Sequence, residues 1–154
     1  MPPKMDTAEL TSPPELSNFE RKIAALEKKF LETSSPEEKY RLLMDLGKKI
    51  PPLNPEYKTE GNLVSGCQSK LYLHAEKKEG KIFFTAETDA LISAGLAAVL
   101  IHIYSEEIIE TILTKPPLFL QNLGIHASLS PNRSNGIFYI YLKMKQLSVK
   151  LLRH

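Results

Sequence analysis

Cys67 is the residue in this chain best suited to covalent chemistry. It is the only cysteine among 154 residues, and it stands in the run Gly66-Cys67-Gln68-Ser69. A cysteine acts as a nucleophile through its thiolate, which needs access and a stabilising dipole or cation. Taken alone, a single cysteine is more often a small buried hydrophobe. Its neighbours argue for reactivity. Gly66 allows a tight turn and leaves room beside the sulfur. Gln68, Ser69 and Lys70 are polar, as at the tip or edge of a strand. The Pro-rich stretch before Leu63 predicts a loop, and reactive groups often sit on loops held by a rigid scaffold. Lys70 and Arg133 are the candidate cations for the thiolate.

Other chemistries lack their residues. Cys67, His74, His102 and His126 do not show the close ligand spacing of a zinc site, so no metal is expected. His102, on an apolar stretch, reads as a hydrogen-bonded histidine at the core or its boundary. Neither GxxxxGK[ST] nor GxGxxG occurs, so no phosphate-cradling loop and no bound cofactor are expected. The formal net charge is +2 without a Lys/Arg block, which argues against a nucleic-acid footprint. Residues 90–104 are the most apolar stretch, yet they contain His102 and are too few to span a bilayer comfortably, so no membrane is expected. Asn132-Arg133-Ser134 matches a glycosylation sequon in form only. A single cysteine cannot close an internal disulfide, which suits a cytoplasmic protein.

The elements that must position Cys67 follow from periodicity. Residues 1–16 hold four prolines among polar residues and read as a loose arm; residues 17–154 read as one domain. Phe19, Ile23, Leu26 and Phe30 recur at helical spacing after a cap at Ser17 or Asn18. Ser35, Pro36 and Glu38 open a second helix with a capping box, which Pro51-Pro52 stops. Ser69, Leu71, Leu73 and Ala75 share one face of a strand; Gln68, Lys70, Tyr72 and His74 share the other. Residues 76–81 make a hairpin connection to a returning strand over 82–87, with a third strand partner expected near Leu63.

Thr88 or Asp89 caps an apolar helix over 90–104, where Gly95 is tolerated if another backbone comes close. Ser105 caps a short fourth helix with Glu106 and Glu107 in its first turn. One or two further helical turns over 118–123 end at Gly124. Residues 125–136 are dense in turn formers. Ile137, Ile140, Tyr141, Met144, Leu147 and Leu151 form a last helical stripe, although Ile137-Phe138-Tyr139-Ile140-Tyr141-Leu142 also fits a strand. The expected fold is α+β, a small antiparallel sheet covered by helices on one face.

On these residues a family resemblance appears. Residues 62–71, NLVSGCQSKL, are similar to the signature of the SufE family of sulfur-acceptor proteins, which centres on GCQS. Glu37-Glu38-Lys39-Tyr40 with Leu46-Gly47 and Ile50-Pro51 resembles the family's second helix. Asp89-Ala90 with Gly95-Leu96 and Ala98-Val99 resembles its central helix. Leu129-Ser130-Pro131 with Arg133-Ser134-Asn135-Gly136 resembles its late turn. Together the matches cover about residues 19–150. The pattern departs at Tyr72, where many relatives carry tryptophan.

The resemblance implies a SufE/IscU-like fold and a sulfur carrier without a cofactor of its own. A SufS-type cysteine desulfurase, dependent on pyridoxal phosphate, would hold a persulfide. Cys67, at the family's acceptor position, would take its outer sulfur and pass it to a SufBCD-type scaffold for iron–sulfur clusters, and the desulfurase would turn over faster. Such a protein is an activator and carrier more than a stand-alone enzyme. Asp89 and Arg133 fall on positions near the partner-facing site, beside Gly66, Gln68 and Ser69. Asp89 as a mere helix cap and Arg133 as a mere turn anchor stay open, as does the choice between monomer and homodimer. A non-catalytic adaptor that regulates a desulfurase is the alternative. A cluster-building scaffold would need several ligating cysteines. Leu71 and Leu73, on the Cys67 face, would shield a persulfide between transfers.

Overall fold

The computed structural model describes residues 16–66, 69–125 and 131–153, with residues 131–135 as backbone only. The arm expected over residues 1–16 lies outside the described residues except for Leu16. The chain runs α1 (Asn18–Leu31), α2 (Pro36–Lys48), β1 (Leu71–Lys78), β2 (Lys81–Thr88), α3 (Leu91–Tyr104), α4 (Ile109–Thr114) and α5 (Pro131–Leu151). Short 3-10 turns at Pro55–Tyr57 and Glu60–Asn62 punctuate the loop before Cys67, and another, Leu118–Leu123, leads to Gly124 at φ +72°. The fold is α+β, with a two-stranded antiparallel sheet against helices.

Caps set the first two helices. The Ser17 side chain accepts from the Glu20 amide, and Glu20 reaches back to the Ser17 amide, a complete capping box on α1. At α2 only half of the expected box forms. Ser35 accepts from the Glu38 amide at 3.2 Å, but the Glu38 carboxylate accepts from the Ser34 amide and hydroxyl instead.

Strand alternation holds: Leu71, Leu73 and Ala75 are buried, as are Ile82, Phe84 and Ala86 opposite them. β1 starts at Leu71, later than the alternation from Gln68 suggests, and runs to Lys78. The connection is only Glu79 and Gly80, at φ +51° and +80°. Two successive left-handed residues give the tight turn whose twist matches a hairpin, so the strands extend further than a six-residue connection allows. Each edge of the sheet gains one bridge. Leu63 pairs antiparallel with Tyr72 on the β1 side, the expected third partner. Glu107 pairs with Ile82 on the β2 side.

That second bridge changes the reading of residues 105–107. Ser105 does not N-cap the next helix; it is the C-cap of α3, its amide donating to the Ile101 carbonyl. Its hydroxyl accepts from the Phe84 amide at 2.9 Å, and Glu106 at φ +68° turns the chain so that its amide donates to the Ile82 carbonyl. Backbone pairing with β2 satisfies these groups, so α4 begins only at Ile109 and has no side-chain cap.

α3 is the central helix, buried from Gly95 to Leu100 and again at Ile103 and Tyr104. Its N-cap is Ala90, without a side-chain cap, so neither Thr88 nor Asp89 takes that role; the Thr88 hydroxyl accepts from the Ala90 amide just before the helix. α3 crosses α2 at Gly95 and Gly47. A methyl on Gly47 would come within 2.6 Å of the Gly95 nitrogen, and one on Gly95 would strike the Leu43 carbonyl. The expected close backbone approach is therefore present, and both glycines are needed for it.

The last helix starts earlier than its apolar stripe. The turn formers from Pro131 to Gly136 are the first turns of α5, with Pro131 opening it as proline does at the first helical position. The strand alternative for residues 137–142 is excluded. Ile137, Ile140, Tyr141, Met144 and Leu147 face the core, against β1, α3 and α4. The Tyr141 hydroxyl donates to the Ile112 carbonyl and the Tyr104 hydroxyl to the Lys115 carbonyl, so α5 and α3 are each pinned to the α4 region.

Candidate functional site

Cys67 and Gln68 lie outside the described residues, and of Arg133 only the backbone, in the first turns of α5, is described. What the structure describes is the frame that carries Cys67. The Val64 amide donates to the Leu71 carbonyl at 2.9 Å, next to the Leu63–Tyr72 bridge. The chain on either side of residues 65–70 is thus joined by one antiparallel bridge. Val64 and Leu71 are buried, while Ser65, Gly66 and Lys70 are exposed and Ser69 is half-buried. The base is anchored in the core and the described residues of the loop face outward. Leu71 and Leu73 are fully buried beneath it.

Gly66 sets the local path. It sits at φ +90°, a left-handed conformation that L side chains avoid. The space above its Cα is not empty: the Tyr139 ring of α5 lies where a Cβ would go, within 2.6 Å of that point. The neighbour of Gly66 is therefore the first half of α5, the helix that also carries Arg133. No sequence signal marked Tyr139; helical phasing puts it off the core stripe, and only the fold brings it to Gly66.

Asp89 directly follows Thr88, the β2 residue paired with Leu71 at the base of the Cys67 loop, and is exposed between β2 and α3. The charges beside it are ordered. Glu87 is ion-paired with Lys58 and also accepts from the Leu53 amide at 3.1 Å, tying the Pro-rich loop to β2. The hydrogen bond from Lys58, then that from Leu53, holds the Glu87 carboxyl below the usual carboxylate range. The bond to Glu87 raises Lys58 above the usual lysine value, with the fields of Glu87, Asp89 and Tyr72 adding to it against partial desolvation. Next to this pair, Tyr57 stacks on His74 with centroids 3.6 Å apart. These contacts fix the outer face of β1 and the segment entering the Cys67 loop. Sequence reasoning missed both pairs, because each joins a loop residue to a strand residue with no periodic signal.

A cavity of about 530 Å³ opens between α1, the end of α2, β2 and α3, lined by Leu26, Leu46, Ile50, Phe84, Val99 and His102 among others. His102 is exposed at its wall, not hydrogen-bonded in the core; desolvation, then Lys22 and Lys29, lowers its pKa. No lining residue belongs to the Cys67 loop, and none is a thiol or carboxylate. Among the described residues no group of three His, Cys, Asp or Glu side chains is placed to hold a metal. No helix among them is long and apolar enough to cross a membrane.

A family model described as the SufE, Fe-S metabolism associated domain matches residues 24–148. The chain belongs to the SufE family. A SufE-like protein of Synechocystis, named as uncharacterized, is 31% identical over 147 residues, covering 96% of this chain and 88% of that protein. A SufE-like protein of Arabidopsis thaliana, named chloroplastic/mitochondrial, is 34% identical over 131 residues. That match covers 84% of this chain but 35% of the plant protein, so the chain spans about a third of it. The solution structure of a hypothetical protein from Thermus thermophilus shares the fold, with a TM-score of 0.72 at 24% identity over 86% of this chain and 97% of that one. SufE membership associates the chain with iron–sulfur metabolism in a sulfur-acceptor role.

Proposed function

We propose that Cys67 accepts sulfur from the persulfide of a cysteine desulfurase and delivers it to an iron–sulfur assembly scaffold of the SufBCD type. The observation that supports this reading is that the GCQS run falls, in sequence, between Val64 and Leu71, which are joined by a backbone hydrogen bond inside a SufE domain. A thiolate on such a loop can reach into a partner's active site while the core stays folded.

The step conserves atoms and electrons. The Cys67 thiolate attacks the outer sulfur of the donor persulfide, a new sulfur–sulfur bond forms, and the old one breaks. The desulfurase cysteine leaves as thiolate, and the proton of the donor persulfide stays with the transferred sulfur or passes to water. No oxidant, reductant or cofactor on this chain takes part. Relieving the desulfurase of its persulfide frees it for another turnover, which accounts for activation. Ser69, Asp89 and Arg133 are proposed partner-facing residues. A cytoplasmic site of action is part of the reading, since the single thiol must stay reduced to accept sulfur.

Intact mass after incubation with a cysteine desulfurase, pyridoxal phosphate and cysteine tests the reading. The wild-type chain should gain one sulfur atom (roughly 32 Da), lost on reduction with dithiothreitol, and Cys67→Ser should gain none. No gain on the wild type overturns the proposal. Cys67→Ser that still binds the desulfurase and stimulates it as before would favour the regulatory adaptor.

A further inference from the structure

We propose that the outer face of α5 is a docking seam for an acidic amphipathic helix of a partner protein. Phe138, Leu142, Val149 and Leu152 are exposed by 50%, 44%, 39% and 59%, although α5 turns a full apolar stripe to the core. Their spacing with Lys145 is four, three, four, three. At about 100° per residue the four positions on α5, Phe138 to Val149, fall within an arc of about 60° and run for roughly 16 Å along the helix, and Leu152 lies in the turn that follows. That is the narrow seam by which one helix receives another, with apolar knobs at alternating three- and four-residue steps.

Charge selects the kind of helix. From Pro131 to the last residue the sequence has five cations, Arg133, Lys143, Lys145, Lys150 and Arg153, and no Asp or Glu. Lys145 sits in the middle of the seam, its Nζ 4.9 Å from the Tyr141 ring centroid. Lys143 and Lys150 lie along one flank by helical phasing, and Arg153 lies in the turn that follows α5. Among the described residues no ion pair holds Lys143, Lys145 or Lys150. The carboxylate placed near the seam is Glu110, which shares a shallow cavity with Lys77 and Leu152 at its far end.

A second copy of this chain fits poorly. Antiparallel pairing centred on the seam would set Phe138 against Leu152 and Leu142 against Val149, but Lys145 against its own copy. Like charges at such close positions are destabilising. A helix with carboxylates opposite Lys145 and along the basic flank answers both features. The seam also adjoins the Cys67 loop, because Tyr139, one residue after Phe138, packs on Gly66. A partner seated there is brought beside that loop whatever chemistry follows.

The test uses the full chain and a designed helical peptide of three heptads. Its apolar seam is leucine, with glutamate opposite Lys145 and on the flank; the control peptide carries lysine at each glutamate. By fluorescence anisotropy the acidic peptide should bind and the basic one should not. Leu142→Glu should weaken binding at least tenfold with an unchanged thermal melt. Lys145→Glu should weaken it likewise and gain affinity for a peptide with lysine opposite. Equal binding of both peptides, or of neither, overturns the proposal. So does binding to vesicles of mixed phosphatidylglycerol and phosphatidylcholine that Leu142→Glu abolishes while the acidic peptide is ignored. A dimer by light scattering that Leu142→Glu dissolves overturns it in favour of a second copy. Peptide binding that appears only after deletion of residues 1–15 assigns the seam to the chain's own arm and overturns it too. The sulfur-acceptor reading is tested separately, by the mass gain on Cys67.

Discussion

At Gly66 the backbone is left-handed and the Tyr139 ring occupies the place of a side chain, so two independent costs fall on any substitution. Gly66→Ala should lose about 1–2 kcal/mol for the left-handed conformation alone. The clash with Tyr139 adds to that. Tyr139→Ala in the same background should relieve the clash and leave the conformational cost, so a double-mutant cycle in urea should show coupling of at least about 0.5 kcal/mol. Additive losses would mean that the ring does not bear on the loop. Gly66→Ala should also slow the mass gain on Cys67 more than it lowers stability at the assay temperature, since it redirects the residue before the thiol. At this scale the sequence was informative about identity and silent about neighbours. The need for glycine was legible in Gly66-Cys67, whereas Tyr139 was not, because a contact between residues 66 and 139 depends on how α5 lies across β1.

At the scale of elements the crossing of α2 and α3 carries a prediction whose sign opposes helix propensity. Gly95→Ala gains about 1 kcal/mol of propensity. It also drives a methyl into the Leu43 backbone, and overpacking of this kind costs about 1–3 kcal/mol or more where backbone must shift. A net loss of roughly 1–2 kcal/mol is expected in urea unfolding. Gly61→Ala, whose added methyl would find nothing nearer than 3.8 Å, should change stability by less than about 0.5 kcal/mol. The Lys58–Glu87 pair carries a pH dependence. Glu87 has a folded pKa below its unfolded one, so its contribution is present above the unfolded value of about 4.3 and is lost as pH falls through the lower folded value. Lys58 has a folded pKa above its unfolded one, so its share is present below about 10.4 and is lost as pH rises through the higher folded value. The melting temperature of Glu87→Gln should therefore lie below wild type at pH 7 and converge on it toward pH 3. A constant gap would rule the pair out as its source. Elements announced by their own period were legible: α1, α2, the hairpin and α3. Those decided by tertiary pairing were not, since Ser105 to Glu107 read as a helix start until β2 offered them backbone partners. The turn formers before Ile137 likewise read as a loop until packing continued α5 back to Pro131.

For the whole molecule the decisive property is how unevenly its charge is spread. The chain has 20 Lys and Arg against 18 Asp and Glu, a net charge of +2. The segment from Pro131 onward holds five of the cations and none of the anions, which leaves 15 cations against 18 anions, a net −3, on the rest. A molecule with one basic helix and an acidic remainder is oriented by an acidic partner during approach, even though its net charge is small. The basic helix also passes Gly66, the residue before Cys67, at Tyr139, so orientation by this field would present the proposed acceptor thiol and the proposed docking seam together. Long-range steering acts on the rate of encounter and is screened by salt, whereas apolar contacts in the seam act on dissociation. Stopped-flow association with a cysteine desulfurase should then slow at least several-fold between about 50 mM and 500 mM NaCl, with dissociation changing much less. Lys145→Glu combined with Lys150→Glu should flatten that dependence, and Leu142→Glu should keep the dependence while speeding dissociation. An association rate indifferent to salt, or a salt effect confined to dissociation, would mean that the basic helix does not guide the encounter.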